Sequence, residues 1–175
     1  FHDALDICCG TGAAMRMLRR HCDQRVVGID VSAGMLAEAR RLGADAPGNA
    51  ALEYVRGDAL AMPFESVFDL AACFGAFGHI LPRDEPRFVA QIARVLRPGG
   101  RFIFVTSTMP SMLHPAYWLA RGFNAAMHVR NWLIRPPFIM FYLTFLWPDV
   151  KALLEANGFN VETPKVRYEW PWTRL

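Results

Sequence analysis

The run Ala4-Leu5-Asp6-Ile7-Cys8-Cys9 breaks abruptly into Gly10-Thr11-Gly12 and then into helix-forming Ala13-Ala14-Met15. An apolar run cut off this way reads as a buried parallel strand turning tightly into a helix. Two side-chain-free positions in the turn let backbone N–H groups and the helix N-terminus come closer to a ligand than any Cβ would allow. The turn is shaped to hold a small molecule. In the dinucleotide fingerprint Gly-x-Gly-x-x-Gly/Ala, the third small residue lets the helix pack on the strand beneath a pyrophosphate. Met15 stands there instead, and Asp6 would repel a pyrophosphate while attracting an ammonium. The expected ligand is therefore partly cationic rather than a nicotinamide or flavin dinucleotide.

Several segments in order resemble the class I S-adenosylmethionine-dependent methyltransferases. Leu5-Asp6-Ile7-Cys8-Cys9-Gly10-Thr11-Gly12 resembles the first motif of that family, with Cys8 where a Gly is common. Val27-Gly28-Ile29-Asp30-Val31-Ser32 resembles the second, whose acid binds ribose hydroxyls, and Met35 stands where the family packs a Met or Leu near the adenosine. The twenty-residue step from Gly10 to Asp30 suits a βαβ unit. Gly57-Asp58-Ala59 resembles the adenine-recognising segment, and Val95-Leu96-Arg97-Pro98-Gly99-Gly100 resembles the junction into the fifth strand.

The resemblance implies S-adenosylmethionine as cofactor and methyl transfer as the reaction. Asp6, Cys8, Gly10, Thr11 and Gly12 would surround its methionine part, Asp30, Val31 and Met35 the ribose and adenosine, and Asp58 with Ala59 the adenine. Cys73 and Phe74, at the end of the fourth strand, would face the transferred methyl. His79 falls where many small-molecule members carry a His. It serves either as a general base or as a ring that hydrogen-bonds its loop. The Asn/Asp-Pro-Pro-Tyr mark of enzymes that methylate nucleobase amines is missing from the end of the fourth strand, which argues against nucleic acid.

Strands are predicted at about 3–9, 25–31, 51–57, 68–74 and 101–107, and helices at about 12–22, 33–43 and 85–97. A helix capped by Asp149 and a sixth strand at 160–170 follow. This alternation predicts a single α/β domain with a doubly wound, mostly parallel, Rossmann-like sheet. The family carries lid helices ahead of the first motif and an antiparallel seventh strand near its end. The chain accordingly reads as a fragment lacking the former and short of the latter. Adjacent Cys8 and Cys9 on a strand point to opposite faces, so a shared metal ion is not expected. Four cysteines without paired spacing, and no leader at Phe1, point to a reducing, cytoplasmic setting.

Residues 86–148 carry seven Arg and no acid, although the net charge of the whole chain is only +3. Within them, 108–148 read as a helical and aromatic insertion on the substrate side. A helix at 115–134 would place Trp118, Gly122, Ala125, Val129 and Trp132 on one face and Arg121, Asn124, His128, Asn131 and Arg135 on the other. The expected arrangement is this helix and a strand from 137–148 packed over the core. A greasy pocket wall and a membrane-facing patch are the alternatives. Segregated aromatics and charges suit a lipophilic acceptor, or peripheral contact with a membrane, better than RNA. Two other functional classes remain at this level. A nicotinamide oxidoreductase would explain only the glycine turn and Asp30, and a non-catalytic membrane-associated or partner-binding module would explain only 108–148.

Overall fold

The computed structural model describes residues 1–164. Five strands, β1 (Asp3–Ile7), β2 (Arg25–Asp30), β3 (Ala51–Arg56), β4 (Phe68–Cys73) and β5 (Leu96–Phe104), form one sheet in the order β3-β2-β1-β4-β5. Every neighbouring pair is parallel. Central β1 is covered on both faces, so all five of its residues are buried, Asp3 and Asp6 included. Alternate residues serve the two faces. Ala4, Val26 and Leu70 pack with Met15 of α1 (Ala13–Leu18) and Leu36 of α2 (Ala33–Gly43). Leu5, Val27 and Ala71 pack with Phe88 and Ile92 of α3 (Glu85–Val95) and with Leu154 of α5 (Asp149–Ala156). The strand order reverses between β1 and β4, so a crevice is expected at their carboxyl ends.

The opposite, amino edge of the sheet is tied by charge. Arg25 reaches Asp3 (2.8 Å) and Glu53 (3.2 Å), while Arg97 reaches Asp69 (2.8 Å) and Asp3 (3.1 Å). The Asp3 backbone N–H, the Arg97 guanidinium and the His2 N–H together hold the Asp69 carboxyl down to about 2.

Local boundaries differ from the sequence expectation: β1 ends at Ile7, so Cys8 and Cys9 already belong to the turn, and β5 ends at Phe104. α1 stops at Leu18: Arg19 N–H still donates to the Met15 carbonyl, but Arg20 and His21 turn to i−3 partners, Met17 and Leu18, and the helix tightens into turns. α3 ends at Val95, and Leu96 is already extended. Pro98 disfavours helical backbone in Arg97 just before it, so β5 starts early and absorbs the extra residues in an irregularity opposite Phe68–Leu70. Asn160–Pro164 form no strand, and the remainder of the predicted sixth strand lies outside the described residues.

The insertion departs further. α4 (Pro115–Leu133) forms as expected, but none of its residues is buried and its apolar stripe faces outward. Residues 137–148 form no strand; only a single bridge joins Trp147 to Thr108. The reason lies in the backbone of that irregular segment, whose N–H and C=O groups need partners. Asn131 both donates to the Phe138 carbonyl and accepts from its N–H, at 2.9 Å each, and Asn124 does the same for Tyr142 at 2.8 Å. The polar face of α4 is therefore the one that must turn inward. The segment anchors through Phe145, 1% exposed, which stacks on Phe77 at 4.2 Å.

Candidate active site

The turn after β1 is built from backbone that few side chains tolerate. Cys8, Gly10 and Gly12 all have positive φ, at 55°, 51° and 74°. A Cβ placed on Gly10 would meet nothing within 4 Å, so the turn leaves an open cradle there. Arg16 donates to the Thr11 carbonyl at 2.7 Å and braces the exposed tip. Met15 is fully buried, and a Cβ on Gly28 would overlap its sulfur. The small residue that permits close helix–strand packing thus sits on β2 rather than on the helix, and sequence spacing could not show that exchange.

Asp30 joins the segments of the site. Its carboxylate accepts from Gly10 N–H and Ser32 N–H, each at 2.9 Å, and its carbonyl accepts from Gly57 N–H at 3.1 Å. The glycine turn, the start of α2 and the loop after β3 are thereby fixed to one residue. Ser32 caps α2 by accepting from Met35 N–H. Around Asp30 stand the exposed apolar side chains of Val31 and Met35, with Phe74 also exposed beyond β4. Such surface is unusual beside a carboxylate and suits a ligand with both an apolar ring and hydroxyls. Asp58 is exposed and holds its own turn by accepting from Leu60 N–H at 2.8 Å.

Three expected contacts are not open. Asp6 is only 3% exposed and accepts from Met15 N–H at 3.2 Å, so it supports the turn from beneath. Ala59 and Cys73 point into the core, leaving the backbone of Ala59 as its only means of contact. A hydrogen bond with Cys8 and deep burial push the Cys73 thiol well up. Cys8 and Cys9 lie in the turn rather than on the strand, yet they pack into different core clusters, and burial pushes the Cys9 thiol up to about 12.

Burial also pushes the Asp6 carboxyl up to about 7, against the Met15 N–H and with help from the Asp30 charge. A folded value above the unfolded one gives stability that is complete below the unfolded value and lost as pH rises through the folded one. Wild type is therefore expected to lose melting temperature relative to Asp6→Asn as pH rises from about 4 to about 7, and to level off above that. A constant offset in thermal melts would show that Asp6 does not titrate there.

His79 ends a 3-10 turn, Phe77–His79, in the loop that follows β4, and is exposed. Its Nδ1 lies 2.6 Å from the Ile139 carbonyl oxygen, which can only accept. The proton of the neutral ring is thereby held on Nδ1, leaving the Nε2 lone pair available. Nearby, a cavity of about 330 Å³ opens between α4 and the loops that follow β4 and β5, with Met109, Tyr117, Arg121, His128, Phe141 and Thr144 in its wall. The sequence places Asn124 and Asn131 on the polar face of this helix without assigning them a role, although two amides seven positions apart on one face are a usable signal for a clamp. A larger cleft between α1 and α2 touches none of the strand ends.

A parallel sheet in this order, with a glycine turn after β1 and an acid closing β2, is the core of the class I S-adenosylmethionine-dependent methyltransferases. The sequence profile described as "Methyltransferase domain" matches residues 4–100, and the chain belongs to that family. It is 32% identical over 173 residues to a 2-phytyl-1,4-naphtoquinone methyltransferase of Thermosynechococcus vestitus, covering 90% of this chain and 72% of that protein. It is 35% identical to a demethylmenaquinone methyltransferase of Symbiobacterium thermophilum, over 61% of this chain and 43% of that protein. A crystal structure of a candidate methyltransferase from Bacillus halodurans matches 92% of this chain with a TM-score of 0.69 and 26% identity, and the chain spans 64% of its length.

Proposed function

We propose that this chain transfers a methyl group from S-adenosylmethionine to a lipophilic, hydroxyl-bearing aromatic acceptor of the reduced naphthoquinone class. The observation that carries the reading is the span shared with the 2-phytyl-1,4-naphtoquinone methyltransferase. At 90% of this chain, it must include most of the insertion as well as the cofactor half.

The residues fit the cofactor. The open cradle at Gly10 admits a methionine chain, Asp30 can accept from ribose hydroxyls, and Val31 and Met35 offer apolar surface to a base. When bound, the sulfonium supplies an electrophilic methyl carbon and its own leaving group. The protein then has to align the acceptor, exclude water and take up one proton. His79 Nε2 receives the acceptor's hydroxyl proton, which makes the aromatic nucleophile more electron-rich. The insertion, 108–148, forms the acceptor side, and the cavity wall of Met109, Tyr117 and Phe141 suits an apolar ring.

Four unpaired thiols support work in a reducing compartment such as the cytoplasm. Among the described residues no helix is long and apolar enough to cross a membrane. We place the chain at a membrane surface, where such acceptors reside.

With methyl-tritiated cofactor and a short-chain demethylated naphthoquinol, label is expected in the organic phase. S-adenosylhomocysteine should compete and NADH should not. Label confined to polar aqueous products would sink the acceptor assignment.

A further inference from the structure

α4 exposes the face that a helix covering a core would bury. Trp118 (63% exposed), Leu119, Val129, Trp132 (82%) and Leu133 form one ridge, with only small residues between them. The helix cannot roll to hide this ridge, because that would break the four hydrogen bonds by which Asn124 and Asn131 hold the 138–142 segment. At its N-terminal end the ridge continues into exposed Met112 and Leu113, and the Trp118 indole is fixed by donating to the Met112 carbonyl at 2.8 Å.

The margins of the ridge are basic. Helical periodicity places Arg121 along one side and Arg130 along the other, with Arg135 just past the C-terminal end. Among the described residues none of the three is paired with a carboxylate, and residues 86–148 contain no acid at all. The Arg121 guanidinium lies 6.0 Å from the Tyr117 ring centroid and that of Arg130 5.9 Å from the Phe138 centroid; Arg130 also donates to Asn131 Oδ1 and the Pro136 carbonyl, neutral acceptors that leave its charge uncancelled.

We propose that this face docks on an anionic lipid bilayer, with α4 lying in the plane of the interface. A helix of nineteen residues is about 28 Å long. Its ridge would sink into the boundary between headgroups and acyl chains, and its flanking arginines would meet lipid phosphates. A second copy of the chain would cover the same apolar surface, but a symmetric contact would also bring like-charged margins together. Charge complementarity therefore favours the bilayer. The inner face of the same helix lines the cavity described above, so an acceptor leaving the bilayer beside α4 would enter directly. That last step rests on the lipophilic acceptor proposed above; the docking itself does not.

The test uses the full chain without cofactor or acceptor, and vesicles of phosphatidylcholine alone or mixed with phosphatidylglycerol. Co-sedimentation and a blue shift of tryptophan emission are expected only with the anionic vesicles, and should weaken as salt rises. Trp118→Ser/Trp132→Ser should bind them roughly tenfold or more weakly. It should keep wild-type affinity for S-adenosylhomocysteine in calorimetry, which certifies its fold. No binding by wild type, or equal binding by the double variant, overturns the proposal. So does a concentration-dependent dimer that the double variant abolishes. Vesicle binding without methylation of any lipophilic acceptor would remove the acceptor assignment and leave the docking surface in place.

Discussion

Asp30→Ala is expected to weaken S-adenosylhomocysteine binding about ten- to a hundredfold, because a lost hydrogen bond to a charged acceptor costs roughly 1.5–3 kcal/mol. The structure adds a second consequence that a strand-end acid would not suggest. The carboxylate also accepts from Gly10 and Ser32, so its removal frees the glycine turn and the start of α2 together. Some loss of melting temperature should therefore accompany the loss of affinity. Asp30→Asn separates the two effects only partly, since an amide can accept from one of these N–H groups and opposes the other with its own donors. Calorimetry on both variants measures the outcome, and an unchanged dissociation constant for Asp30→Ala would remove Asp30 from the cofactor site.

His79→Ala is expected to slow methyl transfer by about 10²- to 10⁴-fold, the range for a single general acid or base, with cofactor affinity nearly intact. The contact with Ile139 offers a sharper comparison than the alanine variant alone. In His79→Asn the side-chain amide can stand near the place of Nδ1 and keep donating to that carbonyl, yet it cannot accept a proton. A base requires both variants to be slow. If His79→Asn turns over like wild type, the ring serves only to pin the Phe77–His79 turn to the insertion. Single-turnover rates with a hydroxyl-bearing acceptor distinguish the two.

The cofactor half was legible because its signals are local. A glycine turn after an apolar run, an acid twenty residues on and the apolar periodicity of α2 each depend on neighbours in sequence, and α2 was predicted with the ends it has. Met15 was harder to interpret, since the space for its side chain is provided by Gly28 across the sheet. The same limit applied to Ala59 and Cys73, whose positions in a motif said nothing about which way their side chains point. α4 shows the limit most plainly. Periodicity located a stripe on the helix but could not say which face met the protein, and two asparagines clamping an irregular segment decided it.

The insertion leaves the domain and returns to it at nearly one point. Thr108 bridges Trp147, Trp147 N–H donates to the Ser107 carbonyl at 3.0 Å, and Thr106 donates to the Phe145 carbonyl. On the return side, Thr144 donates to the Phe77 carbonyl and Phe145 N–H donates to Glu85. Such a segment behaves as a cassette with paired ends. A graft from a relative with a different acceptor would need crossover points only at these feet, with Phe145 and Glu85 retained as the socket. On the acceptor-side reading proposed above, such a graft would exchange acceptor choice in one cut while the sheet and its glycine turn stayed as they are.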